Sequence, residues 1–269
     1  MSDHLLHRPE GFDFGYTPVT ETGEETLDTG MNFGIIKMRA GEERDLTTEL
    51  EGAYLLMNGR VSFKWGGEER TAERNSIFEE EPLALHLPPG LAASLAAETD
   101  AEIALNQTAN DRSFEPMFFD ESNVLDSEHR GKGLLDDASY RIVRTIFDIR
   151  NRPDAKLVLG EVVNFPGRWS SYPPHHHPQP EIYHYRFTEP HGYGHGELGD
   201  EVYKLRQNDT LKIMDMKDHA QCAAPGYGMY YIWVIRHLPG DPYTVPEFTD
   251  EHAWAKEEGA QGWQPSVLD

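Results

Sequence analysis

Residues 173–186 (PPHHHPQPEIYHYR) concentrate groups able to do chemistry. Imidazole and carboxylate together suit a borderline divalent cation such as Zn²⁺, Mn²⁺, Fe²⁺ or Ni²⁺. Extended backbone points residues i and i+2 to one face, so His175 and His177 project together and His176 away from them. Glu181 opens the next strand after the turn at 178–180 and returns a carboxylate to the same point. Pro173 and Pro174 stiffen the approach. A fourth ligand has to come from a distant strand. His219 is the candidate, because it follows a strand at 210–214 and a polar turn at 215–218 and precedes another strand. A bare His-x-His is weak, since 13 histidines cluster by chance and a His-rich patch can be a surface feature. His-x-His-x3-Glu with a later isolated His in an all-β chain is more specific. Among the other histidines, His184 is out of phase with Glu181 and should face away, His191 and His195 sit in a Gly-rich turn that would border a pocket, and His86 reads as structural.

These ligands need rigid elements behind them, and the chain supplies short strands. Its 24 Gly and 18 Pro are spread over the whole length. Between them lie β-branched and aromatic stretches at 31–38, 53–57, 60–65, 102–105, 141–147, 157–165, 181–187, 201–205, 210–214 and 229–235. Many short strands separated by turn signals read as an all-β sandwich or barrel. Helix is expected only near 250–258, at the C-terminal end. The strands fall into two clusters, 32–106 and 141–235, joined by a polar linker or crossing loop at 111–137. Each cluster has an early Gly-Glu and a late Pro-Gly-type turn, a weak sign of duplication, with one large twisted sheet as the rival reading.

The bulk numbers narrow the function. With 269 residues, 38% hydrophobic and 11% aromatic, the chain can build one large or two modest cores. The formal charge of −23 repels nucleic-acid phosphates and anionic lipid, so neither is an expected partner. An anionic substrate would need local positive charge from a metal, Arg or Lys. No run approaches the roughly 20 apolar residues of a membrane span, and the N-terminus lacks an apolar signal-type stretch. The lone Cys222 permits no internal disulfide, so a cytoplasmic setting is expected.

The spacing Gly167-x7-His175-x-His177-x3-Glu181, with His219 downstream, resembles the two cupin motifs. The whole chain is similar to the 5-deoxy-glucuronate isomerase family of inositol catabolism, itself similar to the 5-keto-4-deoxyuronate isomerases of pectin breakdown. Other passages carry the likeness: Glu181-Ile182-Tyr183-x-Tyr185-Arg186-Phe187, Ala223-Ala224-Pro225-Gly226-Tyr227 with Tyr230-Tyr231, and Asp250, His252, Ala253 and Trp254. In the first half, Leu85-x-Leu87-Pro88 and Asp100-Ala101-Glu102-Ile103-Ala104 also fit. The sequence departs from the pattern at Asn208-Asp209, at Asp215-Met216-Lys217-Asp218, at His195-Gly196-Glu197-Leu198 and in the short step from His177 to Glu181. These changes leave the metal ligands intact and bear on the substrate.

The resemblance implies a bicupin: two cupin-type β-barrels in one chain, residues 1–125 forming a barrel without metal ligands and 126–269 the metal-binding barrel, with a short C-terminal helical segment. It implies one divalent ion, zinc or manganese first and iron or nickel as alternatives, held by His175, His177, Glu181 and His219. The activity implied is aldose–ketose isomerisation of a deoxy-uronic acid, with 5-deoxy-glucuronate the expected substrate. For such a reaction Tyr183, Tyr185 and Tyr231 are the candidate proton relays, and Arg186, Lys217 and His195 the candidate substrate-binding residues. The plainer reading is that these tyrosines pack as β-formers and Arg186 makes a surface ion pair. Two other functions fit the same ligands, a metal-dependent dioxygenase and a non-catalytic sugar-acid-binding cupin. Exposed strands leave room for a homo-oligomer.

Overall fold

The computed structural model describes residues 3–266. Neighbouring strands run antiparallel and assemble into sheets of nine, seven and five strands. The nine-stranded sheet takes all its members from the stretch between Gly15–Thr20 and Met117–Phe119. Its spine is the long strand Glu51–Trp65. The first half of that strand pairs with Ala84–Leu87 and Ala101–Thr108, and the second with Glu68–Arg74 and Ala93–Ala97, so it turns a barrel corner. The register shifts between Leu56 and Asn58, and Gly59 follows at φ +101. A Cβ there would stand 2.5 Å from the Asp100 carbonyl oxygen, so only glycine lets the strand turn this tightly.

The other two sheets face each other across a second barrel. The larger runs in the order Leu5–Leu6, Thr210–Ile213, Glu181–Phe187, Met229–Arg236, Leu157–Asn164, Arg141–Phe147, Glu128–Arg130. The smaller runs Glu201–Arg206, Tyr193–Leu198, His219–Ala223, Trp169–His176, Glu247–Phe248. Sheet membership changes between Phe119 and Glu128, while the N-terminal pair Leu5–Leu6 crosses over to the second barrel and registers with Leu211 and Thr210.

Each barrel has its own apolar filling, one around Ile36, Leu56, Phe63, Leu95 and Ile103, the other around Val143, Val162, Tyr183, Tyr185 and Tyr231. A third cluster joins the two, with Phe33, Leu55 and Phe119 meeting Phe147, Leu157, Leu159, Ile182 and Ile232. At about 1.5–3 kcal/mol per buried Leu, Ile or Phe, this shared layer alone couples the halves strongly. It also explains why Glu181–Phe187 is buried at every position. Its odd residues face the second barrel and its even residues the shared layer.

The expected linker at 111–137 holds two short strands, Met117–Phe119 and Glu128–Arg130, and a 3₁₀ turn at Leu135–Asp137. The expected C-terminal helix is a single 3₁₀ turn, Ala253–Lys256, too short to nucleate an α-helix on its own. Among the described residues no helix is long and apolar enough to cross a membrane.

Candidate metal centre

The centre forms where Trp169–His176 meets His219–Ala223. Ser170 pairs with Gln221 and His175 with His219, so Ser171, Tyr172, Pro173 and Pro174 bulge out opposite Ala220 alone. Ser171 adopts φ +53 and the Tyr172–Pro173 peptide is cis. Past the bulge, His175 and His177 turn toward the barrel interior. His176 points away, its Nδ1 2.6 Å from Asp218 and its Nε2 3.6 Å from Glu247. From the facing sheet, Glu181 projects inward as the first residue of its strand. His219 opens the strand after the turn at 215–218.

The hydrogen bonds fix how each ring presents itself. His177 Nδ1 lies 2.9 Å from the Gln179 carbonyl oxygen, His219 Nδ1 3.1 Å from that of Lys217, and His175 Nδ1 3.1 Å from that of Ser171. A carbonyl can only accept, so each Nδ1 carries a proton, and in the neutral form of each ring the lone pair is on Nε2, turned away from the backbone. Two of those lone pairs converge on one carboxylate oxygen: Glu181 Oε2 is 3.2 Å from His177 Nε2 and 3.3 Å from His219 Nε2. The His219 Nε2 is buried and without a hydrogen-bond partner. Lone pairs facing a carboxylate repel unless a proton or a cation lies between them, and backbone-oriented imidazoles are how proteins hold metals. Residues His177, Glu181 and His219, at 6%, 2% and 1% exposure, place their ligand atoms within 4.8 Å of one another. His175, the fourth expected ligand, is not in this mutually close set and stands beside it, its ring 4.3 Å from that of His219. The group thus fits a metal ion by donor type, orientation and burial.

Burial alone would raise the Glu181 carboxyl; hydrogen bonding and charge attraction from His177 and His219, which act when a proton sits at their Nε2 atoms, outweigh it and bring it down to about 2, and a cation in the same place would act likewise. Burial, with the neighbouring His219, holds His175 well below the ordinary imidazole value. Carboxylate and neutral imidazole are the forms a metal needs.

A cavity of about 450 Å³ opens on this cluster, with His175, Glu181, Tyr183 and Tyr231 in its wall. Behind the tyrosines runs a polar chain. Tyr185 donates its O–H to Gln221 Oε1 at 2.6 Å, and Gln221 Nε2 donates to Ser171 Oγ at 2.9 Å. Ser171 Oγ lies 3.3 Å from both the Tyr183 and Tyr231 hydroxyls, and Ser170 Oγ is 2.6 Å from Tyr231. Burial raises all three phenols, Tyr183 and Tyr185 well above the usual range; for Tyr231 the bonds from Ser170 and Ser171 oppose it. Tyr185 is therefore a support behind the wall, and the cavity is reached by Tyr183 and Tyr231.

The three expected substrate-binding residues lie elsewhere. Arg186 shares a strand with Glu181 but sits five residues on, on the opposite face, where it pairs with Glu102 and His184 and covers Phe12. Lys217 lies in the turn before His219 and extends toward Glu201, 3.9 Å away. His195 is exposed beside Tyr193 on Tyr193–Leu198. His184 faces away as expected, bonded to Thr210 and packed on Phe12 and Phe33. His86 is a buried structural residue between Glu51 and Arg152. The cavity wall also holds Ser171, Arg141, Trp233 and Tyr243, which sequence reading did not single out. Arg141, Val143 and Thr145 all line it, the period-two face of the segment RIVRTIF, and a cation at that phase was a legible signal.

Comparison with known proteins agrees with this geometry. A 5-deoxy-glucuronate isomerase of Geobacillus kaustophilus is 26% identical over 233 residues, 80% of this chain and 81% of its own. Its counterpart in Lacticaseibacillus casei is 27% identical over 241 residues, covering 82% and 85%. In three dimensions an IolB-like protein from Salmonella typhimurium superposes with a TM-score of 0.83 at 24% identity, covering 95% of this chain and all of that one. The oxalate decarboxylase of Lactobacillus farciminis superposes with a TM-score of 0.68 at 12% identity over 93% and 90%. These likenesses establish the all-β bicupin fold. The model of the KduI/IolB family matches residues 5–255, and the chain belongs to that family.

Proposed function

We propose that this chain is a metal-dependent aldose–ketose isomerase of a deoxy-uronic acid, with 5-deoxy-glucuronate as substrate in myo-inositol breakdown. The observation that carries the reading is the convergence of two Nδ1-anchored imidazoles, His177 and His219, on the Glu181 carboxylate, which itself lines the cavity. The names of the curated relatives agree with it. On this reading the metal-binding barrel comes from the 126–269 half of the chain and the 1–125 half serves as scaffold, apart from Leu5–Leu6, which pairs into the second barrel. A cytoplasmic enzyme follows from the same reading.

His175, His177, Glu181 and His219 would hold one divalent ion, zinc or manganese by their mixed nitrogen and oxygen donors. Such an ion supplies Lewis acidity to a hydroxy-carbonyl unit. Isomerisation moves a hydrogen from the carbon beside the aldehyde to the former carbonyl carbon, by way of an enediol. Charge builds on the substrate oxygens during that shift. Tyr183 and Tyr231 stay protonated because burial raises them, so each offers an O–H to a developing oxyanion. Ser171 receives its bond from Gln221 and can donate its one hydrogen to Tyr183, while Ser170 can donate to Tyr231, which leaves both phenolic hydrogens for the substrate. Tyr185 holds Gln221 in place and is a positioning residue. The rings of Trp233 and Tyr243 add apolar surface to the same wall.

Replacing His175 and His177 together by Ala tests the reading. Bound metal, measured by elemental analysis, and turnover of 5-deoxy-glucuronate, followed by NMR, should vanish together. Turnover by a metal-free double variant would reject it. Turnover of the zinc-loaded enzyme in anaerobic buffer separates isomerisation from oxygen chemistry.

A further inference from the structure

We infer that Arg141 is the residue that reads the acid end of the substrate, so that the cavity binds its ligand at two points, hydroxy-carbonyl at the His/Glu cluster and carboxylate at the guanidinium. This deepens the isomerase reading and rests on it.

The argument is one of pairing. The other basic side chains in the cavity wall are already engaged. Arg130 holds Glu128 at 2.7 Å, Arg150 holds Asp148 at 2.7 Å, and Lys256 lies over the Phe248 ring at 3.7 Å. The other buried arginines are engaged too. Arg74 and Arg144 share Glu161, Arg186 holds Glu102, and Arg152 is bonded to His86 and the Glu115 carbonyl. Arg152, which does not line this cavity, and the exposed Lys256 also lack a carboxylate, and Arg141 alone combines three features. It is 7% exposed, it lines the cavity, and among the described residues it has no carboxylate partner. Its Nη1 donates to its near neighbour, the Ser139 carbonyl oxygen, at 2.8 Å. A guanidinium carries five N–H donors, so most of its capacity is left for a ligand.

An unpaired buried charge is costly, and proteins keep one where a ligand completes it. Burial lowers Arg141 to about 10, which still leaves it charged at neutral pH. Its charge acts on the Tyr231 and Tyr183 hydroxyls, so it stands on the same wall as the proton-donating groups. A planar fork of N–H groups matches a carboxylate in bidentate fashion, whereas a neutral sugar offers nothing of comparable strength. In a chain of net charge −23, this cation also solves the problem of drawing an anion into the site.

The test is binding to the metal-loaded protein by calorimetry, with D-glucuronate and its neutral counterpart D-glucuronamide as probes. Wild type should bind the acid about 100-fold more tightly than the amide. R141M should lose that preference while keeping its metal content and its affinity for the amide, and R141K should retain part of it. Equal wild-type affinity for acid and amide, no binding of the acid, or an R141M protein that still prefers the acid would each overturn the assignment. The wild-type comparison stands even if R141M does not fold. Strong acid preference without turnover of 5-deoxy-glucuronate would uphold the carboxylate clamp and sink the isomerase reading. Turnover with no acid preference would do the reverse.

Discussion

Replacing Glu161 by Gln should be among the most destabilising single changes in this protein, while sparing the metal. Glu161 lies between the barrels, fully buried, and four bonds end on its two oxygens. Arg74 Nη2 reaches Oε1 at 2.6 Å and Arg74 Nη1 reaches Oε2 at 3.0 Å. Arg144 Nη1 reaches Oε1 at 3.0 Å, and the Tyr230 hydroxyl donates to Oε2 at 2.7 Å. Arg74 comes from the first barrel and the other three from the second, so the cluster ties the halves at their shared core. Glu161 outweighs burial and keeps Arg74 charged. With Gln at 161, two buried guanidiniums lose their only shared countercharge. Breaking a buried pair by removing one partner costs about 3–5 kcal/mol. At about 2–4 °C per kcal/mol for a chain near this size, Tm should fall by about 6–20 °C. R74M should cost less, because Arg144 and Tyr230 still satisfy the carboxylate. The Nε of Arg74 lacks a hydrogen-bond partner and that of Arg144 reaches only the half-exposed Glu81, 3.7 Å away, so the cluster is imperfect, and swapping all three charged residues for apolar ones should also cost less than E161Q. Thermal and urea unfolding of the metal-loaded variants give the ranking. A fall in E161Q of less than about 1 kcal/mol, or an R74M variant less stable than E161Q, would refute the reasoning. Metal content should not change, because Glu161 faces the shared layer and its neighbours Gly160 and Val162 face the barrel.

Two further outcomes follow from the same structure. Y231F should lower kcat about 100-fold with metal content and fold unchanged, since it removes one O–H aimed at developing charge; an unaltered kcat would remove Tyr231 from the mechanism. Burial, then the charge of Arg186, holds His184 well below its ordinary value. The unfolded chain therefore binds a proton that the folded one does not. This contribution is whole above pH about 6.5 and is lost as the pH falls below it, by up to about 1.4 kcal/mol per pH unit. In urea titrations at pH 5, 6 and 7, H184Q should lose that slope relative to wild type; parallel curves would count against it.

The fold and the centre were legible to different depths in the sequence. The period-two phase of residues 175–177 correctly separated His176 from its neighbours, and the phase of Glu181 against His184 placed the two on opposite faces. Phase within a strand is a local property, and the chain alone determines it. The same rule should have removed Arg186, five residues from Glu181, from the site. Charge type points to Arg186 and strand phase points away from it. Lys217 and His195 sit near the site in sequence or in the sheet, but their direction depends on the turn at 215–218 and on the edge of the smaller sheet. No local pattern encodes that. Ser171 was invisible for a related reason, since it acts because a bulge turns its hydroxyl inward, and the bulge exists only once Trp169–His176 pairs with His219–Ala223.

The strand Glu181–Phe187 shows why the two barrels belong in one chain. Its odd face carries the candidate ligand Glu181 and the phenols Tyr183 and Tyr185; its even face carries Ile182, His184 and Arg186 into contact with residues of the first barrel. A barrel standing alone would leave that even face wet, and the strand would then be free to fray or shift register. A shift of one residue would send Glu181 away from His177 and His219. The first barrel needs no ligands of its own to matter for catalysis, because by covering the back of this strand it holds the carboxylate within 3.3 Å of both imidazoles. The same cover lies over Leu157–Asn164, where Gly160 leaves room for the Trp233 ring, which a Cβ would meet at 2.3 Å. The cavity wall is thus set from behind, by packing between the halves, as much as by the residues that line it.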